Sequence, residues 1–132
     1  MRRTRTLVAV LTGLVLLASG CGGSGPNGTP SPTPTVSRAA AAIQGAHMIQ
    51  VAIQSWAVDH GDRYPKVGLL NGNQVGEGLE GGWPENPWTG QPMVPGSGLG
   101  NFTYKLAADR KSAVLIVHGE NGAALQRLTF GQ

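Results

Sequence analysis

The sequence contains few of the residues from which enzymes build catalytic and metal sites. Its 132 residues include one cysteine, three histidines and only 13% charged residues. A single cysteine cannot form a disulfide within the chain, so a packed core must stabilise the fold. The histidines, His47, His60 and His118, lack the spacing of a zinc site, and no serine has the Gly-x-Ser-x-Gly context of an activated nucleophile. We therefore expect no catalytic residue, no metal and no cofactor.

A long hydrophobic run is also missing. The apolar run near the N-terminus, Leu7 to Leu17, has 11 residues, whereas a permanent membrane helix needs about 20. Arg2, Arg3 and Arg5 precede this run, which is the order found in secretory signal peptides. We therefore predict that residues 1–20 form a cleaved signal peptide.

The end of this signal carries the one cysteine. The residues Ala18-Ser19-Gly20-Cys21, with Leu17 before them, resemble the lipobox of bacterial lipoproteins. The resemblance implies that Cys21 carries lipid, palmitate included, and becomes the new N-terminus. It also implies a lipid anchor at the extracytoplasmic face of the cell membrane, because two or more acyl chains hold a protein firmly to a bilayer. The alternative is an unmodified thiol.

The next segment has a composition that is typical of a flexible linker. From Gly22 to Thr35 the chain contains only Gly, Ser, Pro, Thr and Asn, which cannot bury enough apolar surface to fold. We predict that residues 21–36 are the lipidated cysteine and a tether. Three of the ten basic residues lie in the signal, which leaves seven basic against seven acidic residues. Without a basic cluster we expect no nucleic-acid partner.

A long amphipathic helix is predicted from Ser37 to His60. Its apolar residues recur every three or four positions, with Thr35 or Ser37 as the N-cap and Gly61 as the left-handed residue after the helix. The predicted core stripe is Ala39, Ala42, Ile43, Ala46, Ile49, Ile53, Trp56 and Ala57. A second stripe, Met48, Val51 and Val58, either lies under the segment after Pro65 or contacts a partner.

Two further regions complete a domain at residues 37–132. Residues 64–100 are rich in glycine and proline and lack periodicity, as in a long irregular loop. Phe102 to Leu106, Ala113 to His118 and Leu125 to Phe130 alternate as strands do, and Asn121-Gly122 is a hairpin signal. We predict an α+β domain in which one long N-terminal helix packs on a three- to four-stranded antiparallel sheet.

The irregular region contains two tryptophans close together. The stretch from Trp83 to Met93 holds Trp83, Trp88 and three prolines, which combine a restrained backbone with large apolar surfaces. We interpret the tryptophans as residues that fix the loop to the core. The alternative is an aromatic platform for a glycan or peptide.

The order of these motifs resembles the major pseudopilins of type II secretion systems and related type IV pilin-like proteins. The resemblance rests on Trp56 to Pro65, on the loop from Trp83 to Met93 and on Gly100 to Tyr104. It implies a pilin-like fold and a role in a secretion or pilus-like system. The hydrophobic assembly helix of pseudopilins is replaced here by the lipobox and tether. Only Glu120 and Asn121 stand where pseudopilins carry an acidic calcium loop, so we expect no calcium site.

Two functions follow as hypotheses. In the first, the chain is a membrane-anchored lipoprotein whose pseudopilin-like domain is a structural or accessory component, with secretion or pilus proteins as partners. In the second, it is an envelope-anchored binding lipoprotein that holds a glycan or peptide on the loop with Trp83 and Trp88. Neither hypothesis makes the chain an enzyme.

Overall fold

The computed structural model describes residues 36–131. The predicted signal peptide, Cys21 and nearly all of the predicted tether lie outside the described residues. Helix α1 spans Arg38–Asp59, and the strands are β1, Phe102–Leu106, β2, Ser112–His118, and β3, Ala124–Gly131. Short 3-10 turns occupy Val67–Leu69 and Glu120–Gly122. No helix of residues 36–131 has the length and apolar character required to cross a bilayer.

Both ends of α1 match the prediction. The Ser37 hydroxyl caps the N-terminus by accepting a hydrogen bond from the Ala40 amide at 3.1 Å. At the other end Gly61 has φ +66°, and the Asp62 amide donates to the Ala57 carbonyl at 2.9 Å. This six-to-one hydrogen bond is that of a Schellman motif, which satisfies a carbonyl that the helix leaves unpaired.

The three strands form an antiparallel meander in the order β1-β2-β3. In β2 the alternating residues Ala113, Leu115 and Val117 are buried, because their side chains point to the face that α1 covers. The register places Leu115 between Tyr104 of β1 and Leu128 of β3. The predicted α+β class, with one helix and three strands, is therefore confirmed.

The core between helix and sheet contains most of the predicted stripe. Ala42, Ala46, Ile49, Ile53 and Ala57 are buried, whereas Ala39, Ile43 and Trp56 are half-buried. The predicted second stripe behaves differently, because Val51 and Val58 are 60% and 73% exposed. The hypothesis that the segment after Pro65 covers this stripe is wrong for these two valines. That segment passes beside Val51 and leaves a groove.

The segment from Tyr64 to Asn101 is irregular, as predicted, apart from the 3-10 turn at Val67–Leu69 and two isolated bridges. It reaches the core through a few apolar side chains, among them Leu70, Val75 and Met93. These anchors hold the segment along one side of the helix and sheet. The surface features described below are formed where the segment meets α1.

Candidate functional site

The Trp83 side chain holds the irregular segment together through contacts with Met93 and Phe102. Its indole N–H donates to the Met93 carbonyl at 2.8 Å, and its ring lies 6.5 Å from the Phe102 ring in a tilted arrangement. A side chain at Gly76 would collide with the Trp83 ring, so glycine is required for this close approach. Trp83 therefore has the structural role that the sequence predicted for it.

Asn86 is the buried polar centre of the same segment. It is 2% exposed, and its side-chain amide donates to the Leu99 carbonyl at 2.7 Å and accepts from the Trp88 amide at 3.0 Å. Gly100 packs against it with φ +73°, and a Cβ there would overlap the Asn86 side chain. A buried amide of this kind must be fully hydrogen-bonded, so Asn86 determines the path of residues 84–101.

Trp88 lines a pocket at the surface of the domain. It is half-buried against the core and lines an open pocket of about 500 Å³ at the N-terminal end of α1. Arg38, Glu120 and Leu125 also line this pocket. The alternative interpretation, a platform of two tryptophans, is not seen at this pocket, since only Trp88 is among the residues that line it.

The motif after the helix joins α1 to the sheet. The Tyr64 amide donates to the Arg110 carbonyl at 2.8 Å, and the Arg110 Nε–H donates to the Tyr64 carbonyl at 2.9 Å. The Tyr104 hydroxyl donates to the Pro65 carbonyl at 3.1 Å. Burial raises the pKa of Tyr104 above its ordinary range, with a further contribution from the nearby Tyr64. Tyr64 and Pro65 thus hold the helix end against the turn between β1 and β2.

Trp56 contacts two side chains at this junction. The His60 ring stacks on it, with centroids 3.5 Å apart and planes 6° apart, and the Arg110 guanidinium lies 5.8 Å from the centre of the same ring. The His60 Nδ1 is 2.7 Å from the Trp56 carbonyl, which can only accept, so this nitrogen carries a proton.

A groove of about 790 Å³ runs beside the C-terminal half of α1. Ala52 and Val75, both buried, form its floor. One wall is the helix, with Val51, Ser55 and Asp59, and the other is the irregular segment, with Asn73, Glu77 and Leu79. This volume is within the range of about 300–1,000 Å³ that is usual for ligand sites.

The charges of the groove have one sign. Asp59 and Glu77 contribute carboxylates from opposite walls, and none of the described residues that line the groove is a lysine or arginine. Asp59 is also the last residue of α1, whose final turn contains no basic residue. The C-terminal carbonyls of a helix carry partial negative charge, so the groove has a negative potential.

The three histidines make separate local contacts. The His47 Nδ1 lies 3.2 Å from the Gln50 amide oxygen, His60 bonds to the Trp56 carbonyl, and the His118 Nε2 lies 2.7 Å from the Thr103 hydroxyl. In the part of the chain that the structure describes, no group of three or more His, Cys, Asp or Glu side chains could hold a metal ion.

Two features of the structure were not predicted from the sequence. Asn86 stands among prolines and tryptophans in a region without periodicity, and its only signal was the restrained backbone around it. The groove joins residues about 20 positions apart, and its only sequence signal was an acidic residue, Asp59, at the end of a helix. Comparison of the chain with protein-family models, with curated proteins and with solved structures finds no match.

Proposed function

We propose that this chain is a lipid-anchored envelope protein whose domain, residues 37–132, is a pilin-like domain of the major pseudopilin type. In this proposal Cys21 carries the lipid and the chain lies at the extracytoplasmic face of the membrane. It acts through contacts with secretion or pilus proteins and not by catalysis. The role is that of a structural or accessory component.

The observation that carries the proposal is the junction after α1. The resemblance to pseudopilins includes the motif from Trp56 to Pro65, and this motif docks the helix end on the sheet through hydrogen bonds between Tyr64 and Arg110. One long helix across an antiparallel meander is consistent with a pilin-like domain. The exposed valines of α1, Val51 and Val58, offer a surface for a partner.

A second candidate function is that of a binding lipoprotein. The observation that favours it is the open pocket beside Trp88 at the N-terminal end of α1. An indole with an accessible face is a common platform for a sugar ring or an apolar side chain. In this version a glycan or peptide contacts Trp88 and not Trp83, whose indole N–H is already engaged.

The test is deletion of the gene in the parent bacterium, with measurement of the secreted proteins and of surface pili. We expect a loss of one or both, restored by the wild-type chain and not by Cys21→Ser. Metabolic labelling with a fatty acid should mark the wild type and leave Cys21→Ser unlabelled. Genes for a secretion ATPase, a membrane platform protein and a prepilin peptidase beside this gene would agree with the proposal.

One variant, measured in two ways, separates the candidates. Trp88→Ala should rescue secretion if the domain is a structural component, and should fail to rescue any glycan or peptide binding if it is a binding lipoprotein. Unchanged secretion and unchanged pili after deletion would refute the first proposal. Equal labelling of the wild type and Cys21→Ser would refute the lipid anchor.

A further inference from the structure

The groove beside the C-terminal half of α1 carries acidic side chains to which neither candidate function assigns a role. Its floor is apolar, from Ala52 and Val75, and its two walls carry the carboxylates of Asp59 and Glu77. A ligand that fits must combine an apolar part with a positive charge. Lysine and arginine side chains have this construction, because an apolar stem carries a cationic head.

The position of Asp59 strengthens this inference. A carboxylate at the last residue of a helix lies against the partial negative charge of the terminal carbonyls, which is unfavourable for the isolated protein. A residue that breaks a local rule in this way is a candidate for function. A bound cation would interact favourably with Asp59, with Glu77 and with the helix terminus together.

Arg110 is the cation in contact with Trp56, and it does not line the groove. Its guanidinium lies 5.8 Å from the centre of the Trp56 ring, and its Nε–H donates to the Tyr64 carbonyl. The two carboxylates therefore have no lysine or arginine partner among the described residues that line the groove.

The aromatic residue of the groove argues against a sugar. Trp56 is the only Phe, Tyr or Trp among the described residues that line it. One face of its ring is covered by His60, whose ring centre lies 3.5 Å away, and the Arg110 guanidinium lies 5.8 Å from the ring centre. A sugar ring stacks on a free aromatic face, and the His60 imidazole already occupies one face of this indole.

We propose that the groove binds a lysine or arginine side chain of a partner peptide. The stem lies on the floor formed by Ala52 and Val75, and the cationic head interacts with Asp59 and Glu77. The polar side chains Ser55 and Asn73 on the two walls supply hydrogen-bonding groups for the peptide main chain. The site goes beyond the proposed function, since it assigns a ligand to Asp59 and Glu77, two carboxylates to which the pseudopilin resemblance assigns no role.

The test uses the full chain, purified in detergent and labelled with nitrogen-15. The probe is a capped pentapeptide with arginine between alanines, and its matched control replaces arginine by citrulline, which has nearly the same shape without the charge. We expect the arginine peptide to shift the amide resonances of Val75 and Glu77 and the indole resonance of Trp56 saturably. Added salt should weaken binding, because it screens exposed charges.

Variants locate the site. Asp59→Asn and Glu77→Gln should each weaken binding about fivefold, the effect of one exposed charge pair at close range. Glu85→Gln, an exposed carboxylate outside the groove, should leave binding unchanged. Because both carboxylates are exposed, the variants should fold, and Asp59→Asn should melt at or above the wild-type temperature.

Three results would overturn the proposal. They are equal binding of the citrulline peptide, saturable shifts with a glucosamine oligomer but not with the arginine peptide, and the absence of saturable shifts with any probe. The measurement is made on the purified chain, so its outcome does not depend on the secretion phenotype.

Discussion

The helix and sheet differ from the irregular segment, residues 64–101, in the number and kind of contacts that stabilise them. In the helix and sheet, side chains such as Ile49, Leu115 and Phe130 are almost completely buried, and the strands are paired along their length with one register irregularity, at Val117/His118. Many contacts of similar strength therefore hold the layers together. Removal of one contact weakens the whole unit.

The irregular segment depends on a small number of specific contacts. Asn86 joins Leu99 and Trp88, and Trp83 joins Met93. Since a lost partner leaves a buried group unsatisfied, each such bond matters more than its net strength suggests. The difference implies that a core substitution lowers global stability, whereas a substitution at Asn86 opens the segment locally. Four substitutions test this difference.

The largest effect is expected from Leu115→Ala in β2. Leu115 is fully buried between β1 and β3, and such a truncation costs about 2–5 kcal/mol through lost burial and the cavity left behind. Urea denaturation should show a lower midpoint for every probe of the domain. Val114→Ala, on the half-buried opposite face, should cost about 1 kcal/mol or less. Equal losses would contradict the assignment of the core face.

Asn86→Ala should lower the free energy of local opening of residues 84–101 by about 2–4 kcal/mol, because the Leu99 carbonyl and the Trp88 amide lose their buried partner. Hydrogen exchange should quicken in residues 84–101 before it does in β2. Asn73→Ala, at an exposed position of the same segment, should change the free energy of unfolding by less than about 0.5 kcal/mol. Faster exchange in β2 and residues 84–101 alike would remove the distinction between the two regions.

Arg110→Ala tests the junction between the regions and should cost about 1–2 kcal/mol. The variant loses the hydrogen bond to the Tyr64 carbonyl and the cation–π contact with Trp56, each worth about 1 kcal/mol. Chemical denaturation measures the loss, and the fluorescence of Trp56 should change with it. The neighbouring Lys111→Ala is the control, since its side chain is exposed. If Arg110→Ala left the free energy of unfolding unchanged, other contacts would have to hold Tyr64 in place.

The smallest effect is expected from Tyr104→Phe, which loses the hydrogen bond from the Tyr104 hydroxyl to the Pro65 carbonyl. At neutral pH this loss should lower the free energy of unfolding by about 1 kcal/mol. Its pH dependence is more informative. Burial raises the pKa of Tyr104 above the ordinary value of 10.0, so above that pH the unfolded chain releases this proton before the folded chain does. The contribution of Tyr104 to the free energy of unfolding is therefore fully present below about pH 10 and falls as the pH rises further.

Tyr104→Phe should remove this part of the alkaline decline. Urea midpoints measured from pH 7 to pH 11 for wild type and variant provide the comparison. Curves that stay parallel over the whole range would mean that Tyr104 releases its proton equally in both states.

The regular part of the fold was predictable because its signals are local. A stripe from Ala42 to Ala57 and the alternation in β2 depend on which residues must face a core, and the caps Ser37 and Gly61 follow from the geometry of helix ends. The three strands and their order followed from the same patterns. Even the structural role of Trp83 was predictable from its surroundings of proline.

The remaining features depend on which distant residues meet. Asn86 is buried because Gly100 leaves space for it, and the groove exists because residues 69–79 pass beside α1 without covering Val51. Neither feature produces a periodic pattern in the sequence. The same limitation left two alternatives open for the second helical stripe, of which cover by the segment after Pro65 is wrong for Val51 and Val58. An apolar stripe in the sequence does not show which segment lies next to it.

The direction of α1 places two surfaces at opposite ends of one rigid element. The chain enters the domain at Val36 and Ser37, beside the N-terminal end of the helix, whereas the groove is centred near Ser55. About 27 Å of helix separates Ser37 from Ser55, from a rise of about 1.5 Å per residue. The helix is therefore a rigid spacer. It places the acidic groove at the end of the helix that lies away from the preceding chain.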